Sequence, residues 1–283
     1  MSVAVASIGS LTSKTTGTTL NLDVPDSVAV GDLLIAHVSS TGESGSWATP
    51  SGWTEIQQGT TGTLAVAAFY KIADSGDAAA STLPFVQDTS SNAGGRMFRI
   101  TGHKSSGPIN TSQKGTNANN ATVTVGTITP SVAYCLILFL VAAKSDGATR
   151  TCSGYALATS SPSFTEAYDD QYDTNAGHIA AAYGERPQTT ATGNATATLS
   201  GADPNVGILI AIEPQTENAS VTGATGSLAL TGNAGAVTGS ASVTGSTGSL
   251  VIGGNAGTVQ TPDPDWNSVD KSATPSWNNP DKS

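Results

Sequence analysis

Charged and aromatic residues are scarce in this chain. Asp, Glu, Lys and Arg make up 11% of its 283 residues, where about a quarter is usual, and Phe, Trp and Tyr make up 5%. Gly, Ala, Ser and Thr fill the difference. We therefore expect a core built mainly from Val, Ile, Leu and Ala, and a surface solvated by hydroxyl and backbone groups rather than by ions.

Positive charge is the scarcer sign. The chain has 11 Lys and Arg against 21 Asp and Glu, its formal net charge is −10, and its basic residues are scattered singly. Binding to nucleic acid needs clustered Lys and Arg that neutralise phosphates. We therefore expect no nucleic-acid partner.

Cysteine and long apolar runs are also lacking. The two cysteines, Cys135 and Cys152, do not have the spacing of a metal or redox site, and a disulfide between them stays open. The most apolar run, residues 133–143, is too short to cross a bilayer as a helix. The first eight residues lack the charged and long apolar segments of a signal peptide. We expect no membrane insertion.

Common catalytic motifs are missing from the sequence, including Gly-x-Ser-x-Gly, His-Glu-x-x-His and a phosphate-binding loop. The three histidines, His37, His103 and His178, are far apart, and His37 and His178 fall in or beside predicted strands, which is typical of framework positions. We therefore expect a protein that is not an enzyme and uses no cofactor. A pair of carboxylates brought together by folding, as in a glycosidase, is the alternative left open.

Short runs of Val, Ile, Leu and Thr, bounded by Gly, Asp, Asn or Ser, recur along the chain before Pro214. They have strand character, and no stretch shows a convincing helical period with caps. The run at 64–72 alternates, whereas 135–141 is apolar throughout, which is typical of a central strand covered on both faces. A dozen or so strands predict that residues 1–216 form an all-β fold, an antiparallel β-sandwich of the jelly-roll kind. Among the predicted strands are 121–128, 195–199 and 206–213.

Residues 217–262 contain two nearly identical units. Residues 219–240 return as 241–262, with 14 of 22 positions identical. Units this small and Gly-rich bury too little apolar surface to offset their ordering entropy, so they need neighbours. We predict an assembly arm of short strands that pack on equivalents from other subunits or form a thin β-solenoid. The apolar residues assigned to this oligomerisation arm are Val221, Leu228, Leu230, Val243, Leu250 and Ile252.

Residues 263–283 contain a second, shorter repeat. The seven-residue segment that begins at Trp266 returns at Trp277, so half of the four tryptophans lie in a polar stretch. Aromatic side chains often anchor a peptide segment in the groove of a partner. We predict an extended tail that anchors the chain to another protein; packing of each Trp on its own subunit is the alternative. The assigned docking residues are Trp266, Lys271, Trp277 and Lys282.

Three segments resemble tailed-bacteriophage virion proteins: VGDLLIA at 30–36, PSGWT at 50–54 and AFYKIA at 68–73. The doubled Trp-Asn-x-x-Asp-Lys-Ser ending is similar to C-terminal repeats of phage structural proteins. The resemblance implies a β-sandwich with a structural role on the virion, first as a tail or neck appendage of the fibre type and alternatively as capsid decoration. We expect a small oligomer, a trimer, that is assembled in the host cytoplasm and contacts other virion proteins. Trp53 is expected in the core.

A carbohydrate-binding, host-adhesion module is the alternative from another class. Trp47 stands beside polar residues, and Tyr168 and Tyr172 lie in the acidic stretch 165–175, so these aromatic side chains are candidates for stacking on a host-surface glycan. Carboxylates in the same stretch could hold Ca²⁺. A solvated acidic loop is the simpler interpretation, and we expect no metal. The weak candidates for a metal site are Asp169, Asp170 and Asp173.

Overall fold

The computed structural model describes residues 2–42, 45–144, 147–173 and 177–215, and the backbone of four short strands between 220 and 251. The chain divides into two compact units, Met1–Glu217 and Asn218–Ser283. The described residues of the first unit are almost entirely strands and loops, with a five-residue helix, α1 (Ser75–Ala79). No helix in these ranges is long and apolar enough to cross a membrane.

The strands of the first unit are numbered in chain order. They are β1 (Ala4–Ile8), β2 (Thr12–Lys14), β3 (Thr19–Asp23), β4 (Leu33–Thr41), β5 (Trp47–Ala48), β6 (Thr54–Thr61), β7 (Leu64–Ile72), β8 (Thr82–Gln87), β9 (Asn92–Thr101), β10 (Ile109–Val125), β11 (Cys135–Lys144), β12 (Cys152–Leu157), β13 (Thr165–Gln171), β14 (Gly177–Arg186) and β15 (Ala195–Ile212).

Two six-stranded antiparallel sheets form the centre of this unit. Sheet I has the order β1-β9-β4-β7-β6 with β2 beside β9, and sheet II has the order β10-β15-β11-β14-β13 with β12 beside β15. The expected all-β antiparallel sandwich is therefore confirmed. Alternate residues of the two sheets meet in one apolar core, because successive side chains of a strand point to opposite faces. This core includes Leu33, Ile35, Val66 and Phe98 of sheet I and Leu138, Leu140, Ile208 and Ile210 of sheet II.

The outer face of sheet I is covered by a third sheet, sheet III, with the order β3-β8-β5. Its residues Leu20, Leu22 and Phe85 pack with the second set of alternating side chains from sheet I. Trp53 belongs to the same cluster, 9% exposed, with its ring 5.0 Å from that of Phe85 in an edge-to-face contact. The expectation that Trp53 lies in the core is confirmed.

The outer face of sheet II is covered by the ends of its own strands. β10 and β15 pair along nearly their whole length, with register irregularities near Asn120, and both bend there. The bend brings Gly115 against Thr124 of the same strand, where a Cβ atom on the glycine would overlap the backbone. The folded-back ends and β12 bury a further core against β11, which explains why β11 is apolar on both faces.

A buried asparagine fixes this bend. Nδ2 of Asn205 donates to the carbonyl oxygen of Asn120 at 2.8 Å, and its Oδ1 accepts from Asn117 at 2.7 Å. The predicted strands 195–199 and 206–213 are in fact two parts of β15. The turn residues between them indicate a break in the strand, but the backbone stays extended there because β15 pairs with β10 on both sides of these residues.

The second unit contains four described strands: β16 (Ser220–Thr222), β17 (Ser227–Ala229), β18 (Ser242–Thr244) and β19 (Ser249–Val251). β16 pairs with β18 and β17 with β19, both parallel and in register, so each residue faces the one 22 positions further along. Parallel, in-register pairing of strands at a fixed sequence offset is the pairing that a β-solenoid would have. The predicted tail, 263–283, lies outside the described residues.

Candidate functional site

Polar side chains cross the interface between sheets I and II at one end of the shared core. We call His37, Ser39, Arg96, Tyr168, Asp170 and Tyr172 the inter-sheet polar seam. His37 Nδ1 on β4 lies 2.7 Å from the hydroxyl of Tyr168 on β13, with both side chains buried. Arg96 on β9 donates from Nε to Asp170 at 2.5 Å, and its guanidinium carbon lies 5.2 Å from the centre of the Tyr168 ring. The seam thus joins the two sheets by hydrogen bonds, an ion pair and a cation–π contact.

Tyr172 extends the seam into a slot made by two glycines. Its ring lies against Gly94 of sheet I and Gly177 of sheet II, and a Cβ atom on either glycine would overlap the ring. Its hydroxyl lies 3.0 Å from Oγ of Ser39. The slot fixes the aromatic ring between the sheets because both neighbours lack side chains.

A second polar contact lies on the opposite face of sheet II. Nε2 of the buried His178 is 2.5 Å from Oδ1 of Asp169, and the same oxygen accepts from the backbone N–H of Cys152 at 3.0 Å. Asp169 thereby ties β14 to the start of β12. The expectation that His37 and His178 are framework positions agrees with these contacts.

Burial keeps the seam uncharged at its centre. Loss of solvation, reinforced by the nearby His178, lowers the pKa of His37 from 6.5 to about 3. Burial also raises the pKa of Tyr168 well above that of an exposed tyrosine. His37 and Tyr168 are therefore both neutral over the physiological pH range, and their contact joins the two sheets.

The candidates for glycan binding lie in the interior. Trp47, in β5 of sheet III, is 2% exposed and packs in the cluster between sheets I and III, while Tyr168 and Tyr172 are 6% and 7% exposed within the seam. A sugar stacks on an exposed aromatic face, so this burial corrects the interpretation of all three side chains. The acidic stretch is likewise an edge strand, β13, over Thr165–Gln171 rather than a solvated loop.

The three candidate metal ligands have separate partners. Asp169 bonds His178, Asp170 pairs with Arg96, and Asp173 accepts from the amide of Asn92. Within the described ranges, no group of three or more His, Cys, Asp or Glu side chains is placed to hold a metal ion. The carboxylates are structural contacts in this fold.

The two cysteines are free. Cys135 and Cys152 are 0% and 1% exposed, and burial raises the pKa of each thiol to about 12. The disulfide that the sequence left open is therefore not formed, and neither thiol is available as a nucleophile at neutral pH.

The arm residues fall partly within the described strands. Val221 faces Val243 in the pairing of β16 with β18, and Leu228 faces Leu250 in the pairing of β17 with β19. The remaining assigned residues lie outside the described residues: Leu230, Ile252, Trp266, Lys271, Trp277 and Lys282.

Two features of the seam were not identified from the sequence. Arg96 and Arg99 stand in β9 among buried apolar residues, and a cation in such a strand could have indicated a carboxylate partner. Gly94 and Gly177 carry no sequence signal that separates a ring-accepting glycine from a turn glycine.

Comparisons of the chain with family models, with curated proteins and with solved structures find no match.

Proposed function

We propose that this chain is a non-enzymatic structural component of a bacteriophage virion, a tail or neck appendage of the fibre type that assembles through its C-terminal repeats. The observation that carries the proposal is the parallel, in-register pairing of the two repeats. Repeats that stack in this way serve extension and assembly, because each added coil leaves a free strand edge on which the next coil can pair in the same manner.

The sandwich has an interior of its own. The three apolar clusters are formed by residues of the first unit, each with side chains that are almost fully buried. A unit with such a core folds without help from a neighbouring segment. The arm is therefore free to serve contacts with other chains rather than the stability of the sandwich.

The surface of the sandwich suits a crowded particle. Among the described residues, large hydrophobic side chains with substantial exposure are limited to Val30, Val86 and Val132, which are separated in sequence. Such a surface offers little apolar area for nonspecific adhesion. We propose that the sandwich faces outward, and that the arm and tail attach it to copies of itself, as a trimer, and to other virion proteins.

Immunogold electron microscopy tests this proposal. Antibodies raised against the purified chain are applied to intact particles of the phage that encodes it, with particles of an unrelated phage as the control. Label on the tail or neck supports the proposal, and label spread over the head supports capsid decoration instead. Particles that carry no label, together with no trace of the chain in their denatured protein content, would contradict a virion role.

A further inference from the structure

We propose that the arm of one copy stacks end to end on the arm of a second copy of this chain, with β18 and β19 of one paired in parallel and in register with β16 and β17 of the next. The inference rests on the proposed function, because it requires that the chain assembles through this arm. It specifies the partner and the register of that contact.

The chain already contains one example of the proposed contact. Ser220-Val221-Thr222 pairs with Ser242-Val243-Thr244, which is the same tripeptide, and Ser227-Leu228-Ala229 pairs with Ser249-Leu250-Val251. The pairing therefore joins a segment to its own repeat. β18 lies 22 residues after β16 and pairs with it. If the same pairing is repeated once more, the strand that lies on the other edge of β18 has the same sequence, and β16 of a second copy supplies such a strand.

In our proposal the next coil in that stack comes from another chain. The sequence supplies two repeats, and the second ends at Thr261-Pro262 and is followed by Asp263-Pro264, whose prolines cannot donate to a ladder. Each of the four strands has one neighbour among the described strands. In the proposed stack, the backbone groups of the other edge pair with the next coil. Solenoids need about three or more repeats for stability, and two arms together supply four.

The composition of the arm favours an identical partner. Residues 219–262 contain no Asp, Glu, Lys or Arg, although the whole chain has a net charge of −10. Exposed strand edges are usually protected against pairing by charged side chains, and this arm has none. A second copy thus meets no like charge at the contact.

The contact uses two different ends of the arm and is therefore heterologous. The first coil of one copy receives the second coil of another, so the number of copies depends on where the stack is capped. Three copies joined in this way contain six coils.

Disulfide trapping between single-cysteine variants of the full chain tests the register. Val221→Cys and Val243→Cys are prepared separately, one with a small size tag, then mixed and gently oxidised. Neighbouring parallel strands lie about 4.8 Å apart, within the range of about 4.4–6.8 Å that a disulfide spans between Cα atoms. Cys135 and Cys152 are buried, and the wild-type chain measures the background.

The expected result is a cross-linked dimer in the mixture, with each variant alone at the wild-type level. A mixture of Leu228→Cys with Leu250→Cys is expected to behave in the same way, which guards against a local effect of one substitution. Val221→Cys mixed with Leu250→Cys is out of register and is expected to remain at background.

Three outcomes overturn the stacking. Cross-linking of Val221→Cys or Val243→Cys alone, at the level of the mixture, indicates a two-fold contact between like edges. If both in-register mixtures give cross-linked dimer only at the background level while light scattering shows an oligomer, the stacking is excluded. Assembly of the chain by another contact would then still hold. A full chain that is monomeric contradicts both the stacking and the assembly on which it rests.

Discussion

The hydroxyl of Tyr168 lies 2.7 Å from Nδ1 of His37, and this contact joins β13 of sheet II to β4 of sheet I across the central core. The Tyr168 ring also packs 5.6 Å from the ring of Phe98. This buried polar contact forms only when the two sheets are in register with each other, so it contributes to the specificity of their packing as well as to stability.

Replacing Tyr168 by Phe is expected to destabilise the sandwich. The substitution keeps the ring but leaves Nδ1 of the buried His37 without its partner, at a cost of about 1–3 kcal/mol. Chemical denaturation monitored by tryptophan fluorescence measures the change in the free energy of unfolding. Tyr183→Phe, at a half-buried tyrosine of β14, is the control and is expected to have a small effect. Equal losses in both variants would contradict the role of the hydrogen bond.

The sandwich is expected to become less stable as the pH is lowered, because His37 is neutral in the folded chain and becomes protonated on unfolding. Its pKa is lowered to about 3 by burial, while an exposed histidine titrates near 6.5. The unfolded chain therefore takes up this proton first, so the contribution of neutral His37 is complete above about pH 6.5 and is lost as the pH falls toward 3. The loss at pH 4 is on the order of 1–3 kcal/mol.

His37→Gln isolates this effect, because glutamine can still hydrogen-bond but does not titrate. The free energy of unfolding, measured from pH 7 to pH 4, is expected to fall less steeply in the variant than in the wild-type chain. Carboxylates contribute the same acid dependence to both proteins, so parallel curves would show that His37 does not titrate on unfolding.

Gly94→Ala is expected to destabilise the sandwich by about 1–3 kcal/mol, since the added methyl group overlaps the ring of Tyr172 in a packed interface. Gly126→Ala is the matched control, because a Cβ atom at Gly126 meets Gln113 only at ordinary contact distance. Thermal unfolding of both variants provides the comparison. If Gly126→Ala lowers the melting temperature as much as Gly94→Ala, the slot has no special role.

Both thiols are expected to resist reagents in the native protein. Cys135 and Cys152 are buried, and the pKa of each is raised to about 12, so the reactive thiolate is rare at pH 8. Titration with a thiol-specific chromogenic reagent is expected to give slow reaction in buffer and two equivalents in denaturant. Rapid reaction of the native chain would contradict this placement of the cysteines.

The strands of the sandwich were largely predictable from local pattern. The run at 64–72 alternates between large and small side chains and ends at turn residues, and β7 spans Leu64–Ile72. β11 was likewise identified, because a strand covered on both faces has no polar positions. Periodicity and turn residues act over a few neighbours, and these strands depend on little else.

The contacts between strands were not predictable in this way. Residues 200–204 contain the turn signals Gly and Pro, yet β15 continues through them because β10 pairs on one side and Asn205 holds the bend. Tyr168 and Tyr172 occur among carboxylates, which favoured a surface loop. Their burial depends on Arg96 and Gly94, which are distant in sequence, and on Gly177 at the start of the neighbouring strand β14.

The solution mass tests the central claim that the C-terminal repeats assemble this protein. Light scattering after size exclusion compares the full chain with a chain that ends at Glu217, which retains the three apolar cores. We predict an oligomer for the full chain, with a trimer at three times the 28.1 kDa of one chain, and a monomer for the shortened chain. A monomeric full chain, or the same oligomer in both, would contradict the account.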